Sequence, residues 1–199
     1  RSDLCALHLR FVWGLGQGGG GRPERAYVGD EVEAPEAAAG NDARLFAVKT
    51  MNRLIFVKFL EYKGIVQSDL LADLKQTYED GAHPRSLYKT FVETLFFDVM
   101  NKRPEDRSEY VDNLSQFEDI PYLNGGLFRP VLSEDHDINE QEFDITNSVL
   151  TSIIDLLEKY AFSADGGPYN LDPSVLGNVI EKTINYLTGD PADKNKELG

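Results

Sequence analysis

The chain has 199 residues with 41% hydrophobic and 11% aromatic side chains, enough for one sizeable core and well away from the apolar-poor composition of disordered proteins. Its net charge of −14 is graded: residues 1–60 carry 8 Lys/Arg against 7 Asp/Glu, residues 61–133 carry 8 against 13, and residues 134–199 carry 4 against 14. An acidic surface of this kind repels phosphate backbones, so a strong autonomous grip on nucleic acid is not expected; general solubility or a high-salt adaptation is the plainer account of the acid.

The single cysteine, Cys5, rules out an internal disulfide framework and fits a reducing, cytoplasmic compartment. No membrane span is expected, because Arg53, Lys58 and Glu61 interrupt the most apolar stretch. The opening "RSDLCALHLR" has neither an initiator methionine nor a cleavage signal, which reads as a piece cut from something larger.

In chain order, residues 1–13 read as a remnant strand or short helix. Gly14 to Asp42, "GLGQGGGGRPERAYVGDEVEAPEAAAGND", reads as a long, poorly ordered Gly/Ala/acidic linker. The domain division is therefore 1–43 for the remnant and linker and 44–199 for a helical domain. From Asp42 to Gly64 the positions Leu45, Val48, Ile55, Phe59 and Tyr62 recur at helical spacing, and Phe46, Leu54, Phe56, Val57 and Leu60 extend the apolar surface almost all round. This predicts a central, mostly buried helix with Asp42 as N-cap and Gly64 just past its end.

A second helix follows Ser68, with Leu70, Leu71, Leu74 and Tyr78 on one face and a stop at Gly81. A third, "SLYKTFVETLFFDVMNK", ends before Arg103-Pro104, since a residue preceding proline disfavours helix. "ITNSVLTSIIDLLEKYAFS" is a fourth. "DPSVLGNVIEKTINYLTG" is a fifth, with Asp172 as N-cap and Pro173 at the first helical position. Five helices without convincing strand partners predict an all-α fold, an irregular bundle with long loops.

Motifs with apparent chemistry dissolve on inspection. "GLGQGG" is followed by Gly20, Gly21 and Pro23, where a dinucleotide site needs a helix start. Glu61-Tyr62-Lys63 has nuclease-like spacing but ends a helix, so Glu61 reads as solvated or ion-paired. His8, His83 and His136 have no ligand partner at zinc spacing. "SEDHDINEQEFD", Ser133 to Asp144, lacks the turn glycine and terminal glutamate of a calcium loop and reads as a solvated acidic loop. No residue is assigned to catalysis, cofactor binding or a metal.

"YLNGGLFRP" is then the most distinctive stretch. Asn124, Gly125 and Gly126 have strong turn chemistry, leaving Tyr122, Leu123, Leu127 and Phe128 free to fold back between helices as a buried plug; a ligand contact made by exposed glycine amides is the alternative.

The helix "MNRLIFVKFLEYKGIV", with Asn52, Arg53 and Phe59, is followed by "YLNGGLF", with Tyr122 and the NGGLF residues, then by "YNLDPSVLGNVIEKTIN", with Asp172, Pro173 and Gly177, and by a terminal "KELG". In this order they resemble the helical region of large adenine-N6 DNA methyltransferases, including fused type IIG restriction-modification enzymes and phage-defence methylases. The resemblance implies a spacer domain that joins an upstream region to a methyltransferase domain and touches it intramolecularly. The parent would use S-adenosylmethionine to methylate adenine in duplex DNA, flipping the base from the stack. Its Asp-Pro-x-x-Gly-x-Gly-like cofactor motif and catalytic Asn-Pro-Pro-Tyr/Phe would lie beyond Gly199, leaving this piece without a cofactor, non-catalytic and in weak or no contact with DNA. A free-standing helical adaptor for a partner protein is the alternative.

Overall fold

The computed structural model describes residues 32–35, 40–123, 126–133, 138–162 and 170–171. The expected fifth helix, with Asp172, Pro173 and Gly177, and the glycine-rich N-terminal stretch lie outside the described residues, as do Asn124 and Gly125.

The domain is all-α, an irregular bundle built around α1 (Gly40–Tyr62). Because apolar residues occupy nearly every direction of this helix, it is buried along its length: Phe46, Val48, Met51, Leu54, Ile55, Val57 and Leu60 all lie in the core. The helix begins at Gly40, so Asp42 sits inside its first turn and is not the N-cap. There a carboxylate still favours the helix dipole. Its end is as the sequence predicts, with Gly64 at φ 66° just beyond the last turn.

α2 (Leu70–Asp80) buries Leu70, Leu71 and Leu74. Its N-cap, Asp69, adopts φ 60° and makes no side-chain cap bond. The third helical segment departs from the expected α-winding. Tyr88–Val92 and Leu95–Val99 are π-helical, with Glu93 N–H donating to Tyr88 O and Met100 N–H donating to Leu95 O, 2.9 Å, across five residues each. Tyr88, Phe91, Val92, Leu95, Phe96, Phe97 and Val99 are all buried, so the wider winding still satisfies the core.

Beyond Pro104 the chain runs through the short turns Pro104–Asp106 and Ser115–Phe117, separated by α3 (Glu109–Asp112). Arg107 gathers this loop by donating from Nη2 to Val99 O (3.1 Å) and Ile120 O (2.6 Å). α4 (Asn147–Leu157) buries Leu150, Ile153, Ile154 and Leu157. It is shorter than expected: Tyr160 leads out of it and Ala161–Phe162 is extended.

Among the described residues, three two-stranded ladders, which the sequence did not announce, pin the loops. β1 (Val32–Glu33) pairs antiparallel with β4 (Asp144–Ile145), matching Val32 with Ile145. β2 (Val131–Ser133) pairs antiparallel with β3 (Ile138–Asn139) with an irregular register, and β5 (Ala161–Phe162) pairs parallel with β6 (Asn170–Leu171).

Candidate functional site

The glycine turn sits on α1 through an arginine. Arg53 is wholly buried; its Nε donates to Leu127 O (2.7 Å) and its Nη2 to Arg129 O (3.1 Å), while Nη1 meets Glu140 Oε2. Helix α1 supplies the guanidinium, and the turn Gly126–Phe128 with Arg129 directly after it supplies the carbonyls. The turn Glu140–Glu142 supplies the carboxylate. That last turn is fixed by a capping box, in which Asn139 Oδ1 accepts from Gln141 N (2.9 Å) and Glu142 reaches back to Asn139 N.

Glu140 has no exposed side-chain surface and takes a second cation, Lys49 Nζ at 2.9 Å. The Arg53 guanidinium carbon also lies 5.0 Å from the centre of the Phe97 ring and 5.7 Å from that of Phe96. Phe128, released by the turn, plugs the space between Phe96 (5.7 Å between ring centres) and Phe56 (6.1 Å). Phe143 stacks on Phe46 at 4.9 Å. Near this pair, Thr50 Oγ1 and Tyr88 OH are buried without a well-formed hydrogen bond. Burial pushes the Tyr88 phenol well above its ordinary 10.0, with Arg53 opposing and Glu140 adding to the rise.

Of the residues picked from sequence, the structure brings together Arg53, Leu127 and Phe128. Gly126 opens the turn and is exposed, and Tyr122 is half-buried. Leu123 N–H donates to Met100 O (2.8 Å), tying the approach to the end of the π-helical segment. Asn52 is buried with its Oδ1 unpartnered, and Phe59 lies further along α1 with Lys63 Nζ 5.5 Å from its ring centre.

The acidic loop is the main correction. Glu140 and Phe143 are buried, while Asn139, Gln141 and Glu142 stay exposed, so the second half of "SEDHDINEQEFD" is only in part a solvated loop and sends two side chains into the core, with Ile145 buried directly after it. The missed signal was Asn139 followed three residues later by Glu142.

Two further polar clusters flank the clamp. Lys58 Nζ contacts Glu61 Oε2 (2.5 Å) and Glu158 Oε2 (2.9 Å), confirming Glu61 as ion-paired. Burial works against the Lys58 ammonium, but its two carboxylate partners outweigh that and raise it above 10.5; burial raises Glu61 above 4.5, with Lys58 opposing. A cleft of about 370 Å³ lies between Glu33, Tyr78, His83 and Asn147. Several of its polar groups are spent on one another: Ser86 Oγ donates to Asp144 (2.6 Å), Asn147 Nδ2 to Tyr78 OH (3.0 Å), and Tyr78 OH to Arg85 O (2.9 Å), whereas His83 Nε2 is buried without a hydrogen-bond partner. No histidine stands between Ser86 and Asp144 to activate the hydroxyl as a nucleophile requires. Among the described residues, no group of His, Cys, Asp and Glu is placed to hold a metal ion, and no helix is long and apolar enough to cross a membrane.

Residues 32–156 match the family model described as "Domain of unknown function (DUF7814)". The chain belongs to that family. It is also 42% identical over 164 residues to a protein of Methanocaldococcus jannaschii named "Putative type II restriction enzyme and methyltransferase RM.MjaORFECS2P". The match covers 78% of this chain and 13% of that relative, so the chain spans a small part of the length of the curated relative it matches. No solved structure matches.

Proposed function

We propose that this DUF7814 domain is the helical connector of a restriction-modification DNA methyltransferase, joining an upstream region to the methyltransferase domain and carrying no chemistry itself. The observation that carries this reading is the 42% identity to a relative whose name couples restriction with methylation and of which the matched part is only 13%. The geometry is consistent with it: the long buried α1 is tied by Arg53 to the glycine turn and by Lys58 to the end of α4, which suits a body that transmits position.

On this reading the parent takes its methyl group from S-adenosylmethionine and transfers it to adenine N6 in duplex DNA, in the cytoplasm and in the type IIG or phage-defence setting. DNA contact belongs to the parent, because a net charge of −14 disfavours phosphate binding by this piece.

The test has two parts. The source gene is read on both sides of this segment, and the full-length product is assayed for N6-methyladenine on duplex DNA with labelled S-adenosylmethionine. An Asn-Pro-Pro-Tyr/Phe motif downstream together with methyl transfer supports the connector. A stop codon directly after Gly199 sinks it and leaves a free-standing adaptor.

A further inference from the structure

The stretches 126–133 and 138–145 form an arm that meets α1 through Phe128, Glu140 and Phe143, and apolar burial alone underdetermines where it sits. Leu123, Leu127, Phe128, Val131 and Leu132 fall within ten residues, and hydrophobic attraction is non-directional. Sliding the arm by one residue would offer Leu127, and by three Val131, to the site between Phe56 and Phe96 that Phe128 fills.

Arg53 imposes what the aromatics do not. Its planar fork takes two carbonyls, Leu127 O and Arg129 O, and a carboxylate, Glu140, from a second stretch of chain. These acceptors come together only in one alignment of both stretches. Both Arg53 and Glu140 have no exposed side-chain surface, so a shifted arm would leave a buried cation and a buried anion without partners. That arrangement is heavily penalised. A buried pair of this kind contributes little net stability over apolar residues of similar size, and fixing one alignment among several is the best-attested use of such groups.

We propose that the Arg53–Glu140 pair is a register lock: it selects one seating of the stretches 126–133 and 138–145 on α1 and adds little to the free energy of folding. This does not depend on what the parent enzyme does.

The test uses the 199-residue chain with Arg53→Met and Glu140→Met combined, which removes both charges and leaves Lys49, partly exposed, able to reach water. The readouts are the thermal midpoint and the backbone amide spectrum of the arm. The lock predicts a midpoint at or above that of the parent chain, with the single resonances of Gly126, Leu127 and Phe128 split or broadened. A large fall in midpoint, or failure to fold, would make the pair a stabiliser and overturn the proposal. An unchanged midpoint with one sharp set of arm resonances would overturn it equally. Arg53→Lys supplies an independent check, since it keeps the charge but loses the fork. Split arm resonances are expected, and a spectrum identical to the parent's counts against the lock.

Discussion

Lys58 Nζ lies 2.9 Å from each carboxylate oxygen of Glu158, joining the C-terminal part of α1 to the end of α4 across a hundred residues of chain. Its other partner, Glu61, turns its second oxygen to Leu71 N–H (3.4 Å) at the start of α2. Asp69 makes no cap bond of its own, so Glu61 serves that helix end from a distance. One ammonium thus holds two carboxylates that brace three helices.

Lys58→Met removes the cation and leaves the two acids facing one another. Breaking a buried pair from one side costs about 3–5 kcal/mol, and with Lys58 slightly exposed the lower end is expected. Adding Glu61→Gln removes the like-charge repulsion and keeps an acceptor for Leu71 N–H. The double variant should therefore recover part of the loss in urea denaturation; equal or greater destabilisation would show that repulsion is not the cause.

At alkaline pH the buried phenol decides the outcome. Tyr88 has its folded pKa well above 10.0 because of burial. Its contribution is fully present below 10.0 and is lost as pH rises through the folded value, because the unfolded chain releases the proton first. Lys58, raised above 10.5, acts in the same direction from a slightly higher pH. Tyr88→Phe removes a hydroxyl that has no well-formed partner, so it should be neutral or stabilising by about 1 kcal/mol at neutral pH. It should also flatten part of the fall in urea midpoint above pH 10. An unchanged alkaline slope in this variant would exclude Tyr88 as the source.

Two glycines should respond oppositely to alanine. A Cβ at Gly81 would collide with His83 Nε2, and His83 is held by stacking on Tyr78 at 5.0 Å and by the edge of Phe91 at 5.4 Å. Gly81→Ala should cost about 1–3 kcal/mol by overpacking. Much of this should return when His83→Ala is added, and an additive double-mutant cycle would point to the backbone instead. At Gly126 nothing lies within 4 Å of a Cβ. Gly126→Ala should stay within about 0.5 kcal/mol of the parent in thermal unfolding.

Much of this fold was legible in the sequence where apolar spacing and helix ends agree. The nearly continuous apolar surface of α1, the Leu70, Leu71 and Leu74 face of α2, and the stops at Gly64 and Gly81 all stand as read. The π-winding was not legible, because apolar residues between Leu87 and Met100 are so dense that either winding buries them. Ladders of two residues are too short to leave a period. At the site, the turn and its aromatic plug could be read from Gly126 and Phe128, whereas Glu140 could not: its partner Arg53 is 87 residues away. Its run of acidic neighbours hid a carboxylate that goes inside.

Phe128 carries the sharpest prediction about the turn. It is buried to 1% exposure and fills the gap between Phe56 on α1 and Phe96 on the π-helical segment. Phe128→Ala opens a cavity there and should cost about 3–5 kcal/mol. Neighbouring Leu127 is only half-buried and acts through its carbonyl, so Leu127→Ala should cost much less, although the two side chains are adjacent. Urea denaturation of both variants checks this directly. Equal losses would mean that the turn is held by general apolar burial, and a small loss for Phe128→Ala would mean that the helices close over the site without it.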